Sequence, residues 1–515
     1  MDCLMGIDLG STSIKAIVYN TDGKLLASGS VPTEVSHLDK DHPEWAFWDP
    51  EVIWQSVVTA TKQALASLEG ASRIKAVAVT GWGMDGVPLD RDGNVLYPFI
   101  SWHCARTQPQ SERFSGQIGP ERLFSITGTQ VMAIHTVYRM LWLKENAPHA
   151  LEKASVWVSI EDYINFRLSG EIATEFSMAS CTALMDQKNR TWSDELIREA
   201  GLPRSIFPEI TPSGTKIGTV TATAARETGL APGTAVVLGG HDYHCAGLAV
   251  GAFRPEVIMD ITGTWEILFA GTAEANLSAD VYKSGLLLES HVVRDCYNYA
   301  AYALSAGMLE WYKDNLCGEE LRLAAERGGS VWEILMEEAS RVQPGSQGVF
   351  FLPHFSGAVT PAPDPKSLGA FVGMNESIDR SCLTRAVIEG LDYQFRQMVD
   401  SFEFAMNRSV DTIIAVGGTT RNAFWMQNKA DVSGKVLEVP DIEEATPLGA
   451  ALLAGIGVGL YRDEADAHQQ VYKRGATYEP DPVATGRYEE YYRIYKEIYP
   501  ALKGVSHRIF SAFRA

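Results

Sequence analysis

The sequence lacks paired cysteines. Its seven cysteines, at positions 3, 104, 181, 245, 296, 317 and 382 of 515 residues, are odd in number and include no C-x-x-C pair. Disulfide frameworks and structural zinc sites are both built from such paired spacings. The pattern therefore predicts a reduced chain, and we expect a cytoplasmic protein.

An excess of basic residues is also missing. The chain has 44 Lys and Arg against 64 Asp and Glu, which gives a formal net charge of −20. Nucleic-acid binding needs a positive surface that displaces counterions, so we expect no nucleic-acid partner. The contents of 46% hydrophobic and 21% charged residues are typical of an ordinary soluble globular protein.

Long hydrophobic runs are absent as well. The longest, PLGAALLAGIGVGL at 447–460, is too short and too rich in glycine to cross a membrane, and it predicts a buried helix. The N-terminus has neither a basic segment nor a long apolar one. We therefore predict no signal peptide and no membrane partner.

Apolar runs that end at glycine alternate with helical patterns along the chain. IKAVAVTG (74–81) and TIIAVGG (412–418) are typical of buried strands, whereas 50–68 has the periodicity of a helix. This alternation predicts an α/β fold.

The length of the chain predicts more than one domain, because 515 residues exceed a single core. We place two domains at 1–252 and 253–462. The chain then becomes polar, and 463–515 predicts a helical extension. Within it, the tyrosine-rich segment 487–503 is expected to pack on the body through an aromatic stripe.

Two distant segments share one plan. MGIDLGST (5–12) and VIMDITGT (257–264) each contain an apolar strand, an aspartate, one apolar residue and a turn of small residues. Asp8 and Asp260 occupy equivalent places in them. Such a turn exposes backbone N–H groups that bind phosphate. Two turns, one per domain, could hold a polyphosphate between them, although each alone could be an ordinary hairpin turn.

Two familiar nucleotide motifs are not satisfied. GWGMDG (81–86) matches the spacing G-x-G-x-x-G, but a proline and a DRDG turn follow where a dinucleotide site requires a helix. No G-x-x-x-x-G-K-[ST] motif occurs, so the sequence is not that of a P-loop enzyme.

The segment VVLGGHDYHCAGLAVG (236–251) places Asp242 between two histidines, just after a predicted strand. His241, His244 and Cys245 suggest zinc, but the chain has no second Cys/His pair to complete four ligands. Asp242 could cap the following helix. It could also act as a carboxylate at a strand end, where α/β sheets present ligand-facing residues.

AVGGTTRNAFWMQNKADVSG (415–434) predicts a strand, a glycine pair and a helix that begins at about Asn422. The glycines would let a flat ligand approach the backbone closely, although a plain strand-to-helix turn would use them too.

Taken together, four segments resemble the FGGY family of carbohydrate kinases, in the actin/hexokinase/Hsp70-like superfamily, in order over about 1–460. GIDLGSTSIKAIVYNTDG resembles the first phosphate loop, DITGTWEILFAG the second, GGHDYHCAG the catalytic-base segment, and VGGTTRNAFWMQNKADVSG the adenosine motif. The resemblance implies two ribonuclease H-like α/β domains with a cleft between them. It also implies ATP-dependent phosphorylation of a sugar hydroxyl, which needs alignment, charge neutralisation and a base.

The resemblance implies roles for individual residues. Asp242 is expected to be the catalytic base, and Asp8 to hold Mg²⁺ through water. The residues expected to bind ATP are Ser11, Thr12, Lys15, Thr262, Gly263, Thr264, Gly417, Gly418 and Asn422. Those expected to bind the sugar are Trp82, Gly83, Asp85, Trp102, His103, Arg106, Asp242 and Trp265.

Some of these residues have other interpretations. Lys15 could be a solvated surface residue, and Arg106 could pair with Asp85 or Asp242. His241 and His244 could steady Asp242 rather than contact the sugar.

Within the family, GWGMDG, SWHCART (101–107) and TGTWEIL (262–268) most resemble the L-fuculose kinases, with the rhamnulose kinases also close. Xylulose kinases usually carry an aspartate at the position of Cys104, and glycerol kinases an Arg-Glu pair near 83–84. The expected acceptor is L-fuculose or a similar deoxy-ketose or ketopentose; xylulose, ribulose or a polyol is the alternative. Thr419 stands where the family often has a third glycine.

Two other classes of protein share part of the pattern. A superfamily ATPase that works as a binding or chaperone module would share the phosphate loops, but would not need GGHDYHCAG beside SWHCART. A non-catalytic sugar sensor would not need Asp8 and Asp242. For the kinase, the expected partners are ATP and a small sugar, and a homodimer is left open. Closure of the domains over the substrate is expected to expel water.

Overall fold

Two mixed β-sheets lie at the centres of the two halves of the chain. The structure is a computed structural model, which describes residues 2–68 and 73–513. The first sheet has six strands, in the spatial order Lys216–Thr219, Ala235–His241, Arg73–Gly81, Asp2–Leu9, Ser13–Asn20 and Leu25–Pro32. The second has seven, in the order Leu287–Ser290, Tyr297–Leu304, Trp265–Thr272, Val257–Thr262, Thr412–Val416, Val436–Val439 and Ala476–Tyr478.

Both sheets follow the same plan around a central strand. Asp2–Leu9 pairs antiparallel with the strand that follows it and parallel with Arg73–Gly81. Val257–Thr262 likewise pairs antiparallel with its successor and parallel with Thr412–Val416. The repeat predicted from sequence is therefore a repeat of strand, turn and strand. The α/β prediction is confirmed.

Helices and short strands surround the two sheets. The α-helices of the first half are Pro50–Ser67, Gln108–Ile118, Pro120–Thr127, Thr136–Asn146, Pro148–Glu152, Ile160–Ser169, Phe176–Ser180, Asp194–Ala200, Ala222–Thr228 and Asp242–Val250. Those that follow are Ala279–Lys283, Ala306–Leu316, Gly318–Arg327, Val331–Arg341, Arg380–Met406, Ala423–Ser433, Ala445–Gly457, Glu464–Val471 and Pro482–Phe513. Short 3-10 turns are Ala105–Thr107, Arg204–Ile206, Ser346–Gly348 and Gly418–Arg421. The paired short strands are Phe47–Trp48 with Phe99–Ile100, Gly86–Leu89 with Val156–Ser159, Thr174–Glu175 with Ile210–Thr211, Met185–Asp186 with Thr191–Trp192, and Phe350–Leu352 with Ala370–Val372.

The apolar run at 447–460 forms most of the helix Ala445–Gly457, which is buried as predicted. This helix packs on the first sheet, although it follows all but the last strand of the second sheet in sequence. A Cβ on Gly6 of that sheet would lie 1.9 Å from the carbonyl oxygen of Pro447, so only glycine allows the approach.

The helix Asp242–Val250 lies between the two halves. Cys245, Leu248 and Ala249 pack with the Ala445–Gly457 helix and the first sheet, whereas Ala246 and Val250 pack on the second sheet. The residue at the start of this helix, Asp242, is therefore positioned by both halves of the molecule.

The C-terminal extension packs on both halves. Its helix Glu464–Val471 contacts the first sheet through Ala467 and Val471, whereas the part from Ala476 onward is built onto the second half. Ala476–Tyr478 adds an antiparallel edge strand to the second sheet. The helix Pro482–Phe513 then buries Tyr488, Tyr492 and Tyr495 against Leu352 and neighbouring side chains, which confirms the predicted tyrosine stripe. In the part of the chain that the structure describes, no helix combines the length and the apolar character that a membrane crossing requires.

Candidate active site

Asp242 is the first residue of its helix, directly after the strand Ala235–His241. The helix cap is His241, which has extended backbone angles and makes no capping side-chain bond. The side chain of Asp242 is 35% exposed, and Nε2 of His241 lies 3.7 Å from its Oδ1. Asp242 is thus not the N-cap of the helix. Its Oδ1 accepts a hydrogen bond from the backbone N of Tyr243 at 2.6 Å, and the half-buried side chain is partly open to a ligand.

Asp8 lies near the end of the central strand of the first sheet, where it is half-buried. Burial and the charge of Asp242 raise the pKa of Asp8 from 3.8 to about 8, against the opposing effect of Lys15. Two carboxylates that interact in this way favour a cation, and oxygen donors suit Mg²⁺, which keeps several waters. Among residues 2–68 and 73–513, no three or more His, Cys, Asp or Glu side chains are grouped to hold a metal ion. Asp8 with bound water therefore fits a magnesium ion better than His241, His244 and Cys245 fit zinc.

Asp260 occupies the equivalent place in the second sheet, but its environment is different. It is fully buried, and Nζ of Lys429 donates to its Oδ2 at 2.7 Å. Lys429 also donates to the buried carboxylate of Glu266. In the second sheet, the repeated aspartate therefore belongs to a buried ion cluster with Lys429 and Glu266.

The two predicted phosphate turns are closed by their own backbones. In the first, Gly10 N donates to the carbonyl oxygen of Ser13 at 3.2 Å. In the second, Gly263 N donates to the carbonyl oxygen of Trp265 at 3.0 Å. Ser11 is half-buried, and Thr12 and Thr264 are exposed.

Thr262 lies beneath the second turn and is buried. Its Oγ1 is 2.5 Å from Oγ1 of Thr419, so this hydroxyl is used within the protein. A Cβ on Gly417 would lie 2.3 Å from the carbonyl oxygen of Thr262, and Gly417 has a φ of 112°. The adenosine motif thus rests directly on the second turn, and the unusual Thr419 joins them.

A cleft of about 960 Å³ lies between the strands Ser13–Asn20 and Leu25–Pro32, which follow the first turn, and the adenosine motif. Its walls include Lys15 and Ser30 on one side and Gly417, Gly418 and Glu444 on the other. Nζ of Lys15 donates to both carboxylate oxygens of Glu444, at 2.8 and 2.9 Å. Lys15 is therefore an ion-paired residue that faces the cleft.

A second cavity, of about 650 Å³, borders this cleft at Gly418 and Arg421. It lies between the helices Ala306–Leu316, Val331–Arg341 and Ala423–Ser433, and Gly418 lines both spaces. Asn422 caps the last of these helices by accepting a hydrogen bond from Trp425 N at 3.1 Å. The two adjoining spaces have room for a triphosphate and an attached base.

Asp85 is a buried carboxylate that hydrogen-bonds the tryptophans of the predicted sugar site. It is 1% exposed. Its Oδ2 accepts hydrogen bonds from Nε1 of Trp48 at 2.8 Å, Nε1 of Trp82 at 2.9 Å and the backbone N of Trp102 at 3.1 Å. Nη2 of the buried Arg139 lies 3.0 Å from Oδ1. Because its oxygens face these groups, we expect Asp85 to act on a sugar through the tryptophans that it orients.

Arg139 was missed by sequence reasoning. It lies in TVYRMLW on the helix Thr136–Asn146, where every residue from 136 to 143 is buried. A lone charge in a buried helical run is a weak signal of an internal ion pair. Arg106, in contrast, pairs with neither Asp85 nor Asp242, because its guanidinium lies 4.2 Å from the ring centre of Trp45 and donates to the carbonyl oxygen of Ala46.

The remaining predicted sugar residues lie near this cluster or across the cleft. The rings of Trp102 and the exposed His103 are 3.8 Å apart. A Cβ on Gly83 would lie 2.8 Å from Nε2 of His241, so the GWGMDG segment packs against the Asp242 segment. Trp265 is 43% exposed on the second half, with its ring centre 6.1 Å from that of Tyr302.

The two histidines beside Asp242 are held by the protein. His241 N donates to Oγ of Ser177 at 2.9 Å, and burial lowers the pKa of His241, which favours a neutral ring. Nε2 of His244 lies 3.4 Å from Glu289, a buried carboxylate that also accepts a hydrogen bond from Tyr243. Because His244 is completely buried, it supports the Asp242 helix from within.

Comparison with known proteins agrees with this geometry. Residues 3–249 match the N-terminal domain of the FGGY family of carbohydrate kinases, and residues 259–458 match its C-terminal domain. The chain is 32% identical over 471 residues to an L-fuculokinase of Escherichia coli, covering 92% of this chain and 96% of that protein. It is 30% identical over 515 residues to a xylulose kinase of Lactococcus lactis, with 99% of each covered. A solved xylulose kinase from Rhodospirillum rubrum has a TM-score of 0.88 at 27% identity, over 98% of this chain and 100% of that one. The expected two-domain actin/hexokinase-like fold is thereby confirmed, and this chain belongs to the FGGY family of carbohydrate kinases, enzymes that phosphorylate sugars with ATP.

Proposed function

We propose that this enzyme transfers the γ-phosphoryl group of ATP to a hydroxyl of L-fuculose or of a similar deoxy-ketose or ketopentose. The observation that supports the reaction best is the half-buried, partly accessible carboxylate of Asp242. It starts a helix held by both halves, it interacts with Asp8, and it is not consumed as a helix cap.

Asp242 acts as the general base in this proposal. It accepts the proton of the sugar hydroxyl while that oxygen forms a bond to the γ-phosphorus and the bond to the β-phosphate oxygen breaks, releasing ADP. The neutral ring of His241 lies 3.7 Å from Oδ1 of Asp242, beyond hydrogen-bond distance. Because Oδ1 accepts a hydrogen bond from the backbone N of Tyr243 at 2.6 Å, Oδ2 is the oxygen that accepts the proton of the hydroxyl.

Asp8 would hold Mg²⁺ through water, and the ion would offset the negative charge of the phosphates. Ser11, Thr12 and Thr264 lie on the turns that face the phosphates, with Thr262 and Gly263 supporting the second turn. Lys15 contributes its charge once a triphosphate competes with Glu444 for its ammonium group. The adenosine lies against Gly417, Gly418 and the helix that Asn422 caps.

The sugar lies against Trp82, Trp102 and His103, with Trp265 as a wall from the second half. Aromatic faces suit the apolar C–H surface of a deoxy-sugar. Asp85 and Arg139 fix the tryptophan walls, and Gly83 allows the close approach of this loop to His241.

L-fuculose is favoured because the L-fuculokinase of Escherichia coli is 32% identical to this chain, against 30% for the xylulose kinase of Lactococcus lactis. Cys104, where xylulose kinases usually have an aspartate, is buried and accepts a hydrogen bond from Nε of Arg106 at 3.0 Å. Xylulose is the second candidate, because the xylulose kinase similarity covers 99% of both chains, including the C-terminal extension.

A panel of ketoses and polyols in a coupled ADP-release assay tests the proposal. L-fuculose should give the highest kcat/KM, followed by L-rhamnulose, with xylulose, ribulose and glycerol clearly lower. A kcat/KM for xylulose equal to or above that for L-fuculose would refute the assigned substrate while leaving the kinase assignment intact.

A further inference from the structure

The helix Pro482–Phe513 lies outside both matched family segments, and the proposed reaction makes no use of it. One of its side chains, Tyr488, is completely buried in the second half of the molecule. Its hydroxyl lies 2.7 Å from Oδ1 of Asn428 and 2.7 Å from Oε1 of Glu389, and it accepts a hydrogen bond from Nη2 of Arg385 at 2.6 Å. The extension therefore places a polar group inside the second domain.

Asn428 connects this hydroxyl to the cavity assigned to adenosine. It lies on the helix Ala423–Ser433, and its Nδ2 donates to Oδ2 of Asp392. The other oxygen of Asp392 accepts a hydrogen bond from Nε1 of Trp425 at 2.9 Å. Trp425 lines the cavity, and its backbone N donates to the cap residue Asn422. A continuous hydrogen-bonded chain thus runs from Tyr488 to the cavity wall.

The members of this hydrogen-bonded chain are buried, so water does not compete for their polar groups. Tyr488, Asn428, Asp392 and Trp425 are each at most 2% exposed. Arg385 and Tyr488 both face Oδ1 of Asn428, which fixes the amide so that its Nδ2 faces Asp392. Hydrogen bonds are stronger in such a low-dielectric interior, and leaving one buried group unpaired is costly.

We propose that Tyr488 is a positioning residue for the nucleotide. Through Asn428 and Asp392 it holds Trp425 and the start of the Ala423–Ser433 helix in the arrangement that binds adenosine. The C-terminal extension is then part of the nucleotide site, although it contacts no nucleotide. This inference rests on the adenosine position given under the proposed function.

A matched pair of variants tests it. Tyr488→Phe removes only the hydroxyl of the chain. Tyr495→Phe removes a hydroxyl from the same helix that is also buried, but that has no hydrogen-bond partner among the described residues. ADP affinity is measured by calorimetry without sugar, the KM values for ATP and sugar by the coupled assay, and Tm by calorimetry.

Tyr488→Phe should raise the Kd for ADP and the KM for ATP by about 3–10-fold, the usual effect of one net hydrogen bond, and leave the KM for sugar unchanged. Tyr495→Phe should leave the Kd for ADP, the KM for ATP and the KM for sugar unchanged. An unchanged Kd for ADP in Tyr488→Phe overturns the proposal, as does an equal rise in the KM for sugar or an equal effect of Tyr495→Phe. A general loss of stability would lower Tm and the maximal rate without raising the KM for ATP selectively.

A third variant separates this inference from the proposed function. A Cβ on Gly418 meets no atom within 4 Å, so the side chain of Gly418→Leu enters the cavities assigned to the nucleotide. Unchanged ADP affinity in Gly418→Leu would refute the adenosine position, and the Tyr488 proposal with it. If Gly418→Leu loses ADP binding but Tyr488→Phe does not, only the Tyr488 proposal fails. If the wild-type protein binds ADP but phosphorylates none of the sugars, the substrate proposal fails. The Kd values for ADP of Tyr488→Phe and Tyr495→Phe then still test the role of Tyr488.

Discussion

Substituting Asp8 by asparagine should raise the free energy of unfolding, and substituting Asp260 should lower it, although the two aspartates occupy the same place in their sheets. Asp8 is half-buried near the end of the central strand of the first sheet, and its pKa is raised to about 8 by burial and by Asp242. Asp260 is fully buried and ion-paired to Lys429. Asparagine has nearly the same shape as aspartate, so each substitution changes charge more than packing.

The effect of Asp8→Asn on stability follows from its pKa. The unfolded chain ionises this carboxyl above its ordinary pKa of 3.8, whereas the metal-free folded protein retains the proton up to about 8. The unfolded state therefore binds fewer protons in this range, and the free energy of unfolding falls as pH rises between these values. Asp8→Asn removes that loss and should stabilise the metal-free protein at neutral pH, on the order of 1–3 kcal/mol after allowance for screening by solvent.

Asp260→Asn should destabilise the protein instead. It removes one of two carboxylates from the buried ammonium group of Lys429 and leaves Glu266 as its partner. Breaking a buried ion pair costs about 3–5 kcal/mol, and the remaining carboxylate places the expected loss near the lower limit.

The assay is urea unfolding in EDTA, together with turnover measured across a magnesium titration. Asp8→Asn should be at least as stable as wild type but nearly inactive, or active only at raised magnesium. Asp260→Asn should be less stable and keep its magnesium dependence. Wild-type turnover and an unchanged magnesium dependence in Asp8→Asn would refute the assigned metal role, and wild-type stability in Asp260→Asn would refute the buried-pair argument.

Two further predictions concern the base and the nucleotide cleft. Asp242→Asn should reduce turnover by about 10²–10⁴-fold, the usual contribution of a general base. ADP affinity should be unchanged, because the half-buried side chain is not the helix cap and asparagine keeps its shape. Near-normal turnover would contradict the role. Gly418→Leu should abolish detectable ADP binding without lowering Tm. Gly417→Ala should lower Tm, because its Cβ would lie 2.3 Å from the carbonyl oxygen of Thr262 and its φ is 112°. Equal Tm values for the two variants would contradict the geometry of this turn.

Local patterns predicted much of the fold correctly. Tyr488, Tyr492 and Tyr495 recur at helical spacing and are buried, as expected from periodicity. The strand–turn–strand plan at 5–12 and 257–264 recurs in both sheets, because apolar strands and turns of small residues are encoded by neighbouring residues. The start of a helix at Asp242 follows from the same kind of local signal.

Partners distant in the sequence were not predictable in this way. The ion pair of Lys15 joins residues 429 positions apart, and the pairs Asp85–Arg139 and Asp260–Lys429 also cross between elements. The sequence pattern made Asp8 and Asp260 look equivalent, and it favoured Arg106 over Arg139.

By itself, the sequence determined the α/β class, the repeated strand and turn, and the carboxylates available for phosphoryl transfer. Only the tertiary structure decided which carboxylate is buried in an ion pair, which arginine holds Asp85, and which wall of the cavity Tyr488 reaches. The physical reason is that backbone conformation and periodic burial depend on nearby residues, whereas the charge state and contacts of a side chain depend on whatever the fold packs against it.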